Sequence, residues 1–113
     1  MKRAGRRVAI TGLGAVTPLG DRIDDIWNGV MEGRVPCGPV RSFDARQYPC
    51  PIAYEVEGFT EDKFPGLSPS QNDIASRQAR FALHATDAAV AMAGFQNGEL
   101  NRLDSALSYG VGM

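Results

Sequence analysis

Apolar residues run consecutively at Val8, Ala9 and Ile10, and the run then breaks at Gly12 and Gly14. Such a run predicts a strand covered on both faces, here Arg7 to Ile10. Gly12 to Gly20 reads as loop, because Thr17 precedes Pro18 and is pushed away from helical angles. Ile23, Ile26, Trp27 and Val30 then fall at i, i+3, i+4 and i+7. That spacing predicts an amphipathic helix with Trp27 as its largest anchor. Asp21 is its expected N-cap, Asp24 and Asp25 put negative charge in its first turn, and Gly33 ends it.

From Arg34 to Pro69 the periodicity dissolves, and six of the seven prolines fall in this segment. Ile52 to Val56 reads as an extended piece and Thr60 to Phe64 as one helical turn. So long an irregular stretch is uncommon in a compact small domain and suits the surface of something larger. Periodicity returns over Ser70 to Ala93, where Ser70 and Asp73 resemble a capping box. Ile74, Phe81, Ala85, Ala88 and Met92 form one stripe, and Ala75, Ala79, Ala82, Ala89 and Ala93 its neighbour. Alanine-lined stripes allow another backbone to approach closely. Arg77, Arg80, His84 and Asp87 occupy the opposite side, and Gly94 suits a left-handed C-cap. Leu103 to Met113 predicts a second buried strand that leads into Gly110-Val111-Gly112.

Strand, helix, irregular segment, long helix and strand together imply an α/β layer architecture. The expected segments are 1–33, 34–69, 70–95 and 102–113. Two strands do not complete a sheet, so the pattern is that of part of a larger α/β unit.

The totals narrow the function classes. The 113 residues are 43% apolar and 22% charged, as in ordinary soluble domains. A net charge of -1 provides no basic field for nucleic acid, and Lys2, Arg3, Arg6 and Arg7 read as a solvated start. No stretch approaches the roughly 20 apolar residues that cross a bilayer, and no secretory cleavage pattern follows the first apolar run. A cytoplasmic location is therefore expected, with Cys37 and Cys50 as free thiols and no metal-ligand spacing.

The glycine turn is the first chemical candidate. A dinucleotide fingerprint needs a third glycine at a helix start, but Thr17-Pro18 stands there. A small nucleotide-binding module is thus a distant alternative, and a tight backbone passage inside a core is the better reading. His84 with Asp87 could belong to a relay, but no nucleophile motif accompanies it, so it reads as a surface or interface histidine. Cys37 and Cys50, each beside proline, lack the surroundings that activate a thiol.

The opening run Arg7-Val8-Ala9-Ile10-Thr11-Gly12-Leu13-Gly14-Ala15-Val16-Thr17-Pro18-Leu19-Gly20 strongly resembles the N-terminus of β-ketoacyl-(acyl-carrier-protein) synthases. Ile26-Trp27-Asn28 with Gly33, Phe43-Asp44 with Tyr48, Arg80-Phe81-Ala82-Leu83 through Ala93-Gly94-Phe95, and Ser108-Tyr109-Gly110-Val111-Gly112 extend the likeness in order. The resemblance covers nearly the whole chain but only about the first quarter of the family's length.

It implies a thiolase-like fold of α-β-α-β-α layers, incomplete in this chain. It further implies decarboxylative condensation of an acyl thioester with malonyl-acyl-carrier protein, in fatty acid or polyketide synthesis, without metal or organic cofactor. The implied partners are acyl carrier protein, the remainder of the synthase and a second ketosynthase-like chain in a homodimer or heterodimer. The family's catalytic cysteine and two histidines match no residue of this chain, which alone is expected to be inactive. Val111 matches an acyl-pocket position. Ile74-Ala75-Ser76 replaces the family's usual basic-Met-Asp, and Ser108-Tyr109 its Gly-Ser. Those departures keep open a non-catalytic partner subunit of the chain-length-factor type.

Overall fold

The computed structural model describes residues 7–59, 67–96 and 98–110. Its elements in chain order are helix α1 (Ile23–Met31), strands β1 (Gly38–Pro39) and β2 (Ile52–Ala53), helices α2 (Pro69–Ile74) and α3 (Arg77–Met92), and a 3-10 turn at Leu100–Arg102. The strands pair antiparallel, Gly38 with Ala53 and Pro39 with Ile52. The arrangement is elongated, 63 × 39 × 26 Å, with a radius of gyration of 18.0 Å. A compact chain of this size would have one of about 13–14 Å.

Arg7 to Ile10 is not part of any ladder among the described residues, and Val8 and Ile10 are exposed. The strand pairing expected for this segment is not formed among the described residues. The two glycines that follow bring the segment onto α3, but no neighbouring strand flanks it there. Leu103 to Tyr109 likewise follows the 3-10 turn as exposed backbone that joins no ladder among the described residues. The rest of that expected strand, and the turn expected at Thr60 to Phe64, lie outside the described residues. Among the described residues Ala45 is the buried apolar side chain, and many of the large apolar side chains are more than half exposed.

The first helix begins at Ile23, later than a cap at Asp21 would give. Arg22 is its N-cap and makes no side-chain cap bond. Its inner face is the i, i+3 row Ile23, Ile26 and Gly29, with Gly29 pressed on Leu19. Trp27 and Val30 face outward and are more than half exposed, so Trp27 is not the anchor its spacing suggests. Gly33, at φ 66°, supplies the left-handed stop.

The expected single helix from Ser70 is two helices. The capping box is Ser68 with Gln71: the Gln71 N–H donates to Ser68 Oγ at 3.3 Å, and the Ser68 N–H donates to Gln71 Oε1 at 2.9 Å. Pro69 occupies the first helical position, where its missing N–H costs nothing. The helix stops at Ala75, whose ψ of 118° is extended. Ser76 then caps α3 afresh by accepting from the Ala79 N–H at 3.2 Å. Serine at an N-cap competes well with helix continuation, which explains the break. Gly94, at φ 81°, closes α3, with Phe95 N–H donating to the Val90 carbonyl and Gly94 N–H to that of Ala91. This is the Schellman pattern.

Candidate functional site

The glycine turn sits where the alanine stripes of α3 invite it. A Cβ built on Gly12 would run into the Ala89 carbonyl and lie 2.9 Å from the Ala93 nitrogen. One built on Gly14 would meet the Ala85 carbonyl and lie 2.8 Å from the Ala89 nitrogen. Residues two apart in extended backbone share one side, so both glycines press the same helix face. The two glycines and the small residues beneath them thus serve backbone packing. No helix starts behind them: α1 begins at Ile23, on the far side of a closed turn. In that turn Thr17 and Gly20 exchange both backbone hydrogen bonds, at 2.9 and 3.0 Å. Thr17 Oγ1 also accepts from the Leu19 N–H at 3.1 Å. A phosphate would find no free helix N-terminus at the glycines.

Asp21 leaves this turn toward α3. Its Oδ2 lies 3.2 Å from His84 Nε2, and both side chains are about three-quarters buried. The His84 ring also stands edge-on to Phe59, centroids 5.6 Å apart, and Phe59 meets Phe81 at 4.7 Å. The histidine expected on an outer polar face therefore ties three segments together. Arg80, expected on the same polar face, is 8% exposed. Its Nε donates to the Ala75 carbonyl at 3.2 Å, and an Nη donates to that of Asn72 at 2.6 Å. It thereby caps the C-terminal carbonyls of α2 from the next helix.

Asp21 and Phe59 also line a cleft of about 410 Å³, whose walls include Leu19, Cys37, Arg41 and Glu57. Cys37 and Cys50 are exposed free thiols. The ladder register sets them at opposite ends of the β1–β2 ribbon, too far apart for the ~7 Å limit on bridged Cα atoms. No group of three or more His, Cys, Asp or Glu side chains among the described residues could hold a metal ion. No helix among them is long and apolar enough to cross a membrane. Val111, the position expected in an acyl pocket, lies outside the described residues. The described residues thus bring together a backbone-packing seam and a polar cleft. They do not bring a nucleophile to a base. The Asp21–His84 pair was missed in the sequence because the local pattern offers Asp21 as a helix cap and Asp87 as the nearer carboxylate to His84.

Residues 5–113 match the family described as Beta-ketoacyl synthase, N-terminal domain. The chain is 36% identical over 108 residues to 3-oxoacyl-[acyl-carrier-protein] synthase 2 of Synechocystis sp., covering 96% of the chain and 26% of that protein. It is 34% identical over 111 residues to the protein of the same name from Coxiella burnetii, covering 95% and 26%. It is 38% identical over 73 residues to an actinorhodin polyketide β-ketoacyl synthase 2 of Streptomyces coelicolor, covering 64% and 18%. The chain spans about a quarter of the length of the first two relatives. On the strength of a match along nearly its whole length, the chain belongs to the β-ketoacyl synthase family, within the N-terminal domain.

Proposed function

We propose that this chain is the opening part of a β-ketoacyl-acyl-carrier-protein synthase acting in fatty acid or polyketide synthesis. The observation that carries the reading is the family match over residues 5–113. The reaction would join an acyl thioester to malonyl-acyl-carrier protein. Loss of CO₂ from the malonyl group leaves a carbanion that attacks the acyl carbonyl, and the thiolate that held the acyl group departs. The chemistry calls for no metal or organic cofactor. The catalytic cysteine and two histidines would come from sequence beyond this chain, which by itself is inactive in this reading. Residues 7–16 and 102–113 would enter the layers of a thiolase-like fold, and Val111 would line its acyl pocket near a dimer interface. Acyl carrier protein and a second ketosynthase-like subunit are the partners, in the cytoplasm.

A second reading is a partner subunit of the chain-length-factor type, which keeps the fold and lacks the nucleophile. Tyr109 in place of the family's usual serine beside the pocket position favours it. Assay of the full-length protein with acyl and malonyl thioesters on acyl carrier protein separates the two. Condensation by the protein alone supports the first. Condensation only in mixture with a related subunit, together with no cysteine at the nucleophile position, supports the second. Absence of product under both conditions overturns both.

A further inference from the structure

Glu55 makes an arrangement that the family match does not call for. Its Oε2 accepts the Arg41 backbone N–H at 2.7 Å. Its Oε1 accepts the Ser42 N–H at 3.2 Å and the Ser42 hydroxyl at 2.5 Å. Three donors from two consecutive residues converge on one carboxylate.

The ladder register makes this contact informative. Continued outward from the Gly38–Ala53 pair, it places Glu55 opposite Pro36. An uncurled ribbon would hold Glu55 roughly 16 Å along the strand from Arg41. The arms beyond the ladder, 40–42 and 54–57, therefore curl toward each other. Glu57 and Val56 follow the same course: Arg41 Nη1 lies 2.8 Å from Glu57 Oε1, and an Arg77 Nη of α3 donates to the Val56 carbonyl at 2.7 Å. Arg41, Glu55, Val56 and Glu57 form walls of the 410 Å³ cleft and also of a second one shared with Arg77 and Phe81.

We propose that the Glu55 carboxylate is a conformational latch that fixes the curl of the β1–β2 ribbon and thereby the shape of the clefts on either side of it. Closing the latch needs the charged carboxylate, because a neutral carboxyl is a weaker acceptor and turns one oxygen into a donor facing N–H groups. The Ser42 hydroxyl foremost, then the Arg41 N–H, hold the Glu55 carboxyl below the usual carboxylate range. A folded-state value below the unfolded one means the latch contributes above the unfolded value and is lost as pH falls through the folded one. The other charged or titratable groups around it are Arg41, Tyr54 and Glu57 at its side, Arg77 from α3, and Asp21 and Cys37 across the first cleft.

Backbone amide and side-chain carboxyl NMR of the intact chain, titrated from neutral pH downward, tests the latch. The Arg41 and Ser42 amides should shift together with the Glu55 carboxyl, at one midpoint below that of an ordinary glutamate. In Glu55→Gln that common transition should vanish. In Ser42→Asp, which sets a second carboxylate against the first, cleavage of the 41–50 segment by added protease at neutral pH should rise at least several-fold. In Ser42→Ala the midpoint should move up toward the ordinary range. Amides of Arg41 and Ser42 that ignore the Glu55 titration overturn the proposal. So does a Ser42→Asp protein as protease-resistant as the parent. Circular dichroism of each variant identifies global unfolding. If Ser42→Asp unfolds globally, Ser42→Ala replaces it, and an unchanged Glu55 midpoint in that variant overturns the proposal.

Discussion

Gly14 lies against the backbone of Ala85, so close that a methyl group in its place would overlap the Ala85 carbonyl oxygen. The obstacle is helix backbone, not the end of a movable side chain, so the segment would have to lift. Gly14→Ala should destabilise the chain by about 2–3 kcal/mol, at the upper end of overpacking costs. The comparison that isolates the effect is Gly38→Ala, where a Cβ would meet nothing within 4 Å. Thermal or denaturant unfolding of the pair is the measurement. Equal stability of the two variants would refute the packing role of the turn.

The Asp21–His84 contact predicts a coupled pair. Both side chains are about three-quarters buried, so losing this contact should cost about 1–3 kcal/mol. Asp21→Asn and His84→Phe should each destabilise the chain, and the double variant should cost less than their sum. A double-mutant cycle reads the coupling directly. Strict additivity would count against a direct interaction.

Arg80 predicts a non-conservative response to a conservative change. Lysine keeps the charge but cannot present two N–H groups in one plane to the Ala75 and Asn72 carbonyls. Arg80→Lys should therefore lose about 1–2 kcal/mol, most of the loss from Arg80→Met. Equilibrium unfolding of the two variants checks the ranking, and a fully stable lysine variant would contradict it.

Ser76 predicts a fusion of helices. With Ser76→Ala the cap on α3 disappears at a cost of about 1 kcal/mol. Alanine also removes the local competitor to helix continuation, so backbone chemical shifts at positions 75 and 76 should move toward helical values. Unchanged shifts would place the cause of the break elsewhere.

These features differ in how far they could be read in advance. The glycines and the alanine stripes announced a close backbone crossing, because absent side chains are visible in any sequence. The first helix was visible from its 3.6 period, but its orientation was not. Trp27 satisfies the period, yet Gly29 allows the closer approach to Leu19 and turns the helix so that Trp27 faces out. The break at Ser76 was hidden because serine is neutral evidence inside a long periodic run, while the Ser68-Pro69-x-Gln71 signal stands two residues upstream of Ser70. The roles of Asp21 and Glu55 depend on partners distant in the chain, which local spacing does not encode, while the acceptors of Arg80 lie five and eight residues back across a helix break that the periodicity hid. Membership of the β-ketoacyl synthase family was legible from the opening run only through its resemblance to the family's N-terminal motif; the packing of its glycines alone would not have named a family.

The double-helix arrangement around Ser76 has a consequence for motion. The six residues of α2 are too few for a helix to persist unaided in water. Its residence depends on the capping box at one end and the Arg80 guanidinium at the other. Slow amide hydrogen exchange along α3 should therefore coexist with faster exchange in α2, through openings in which α2 melts while α3 stays folded. The short helix would then act as a hinged flap, its lifetime set jointly by the capping box and by an arginine outside it.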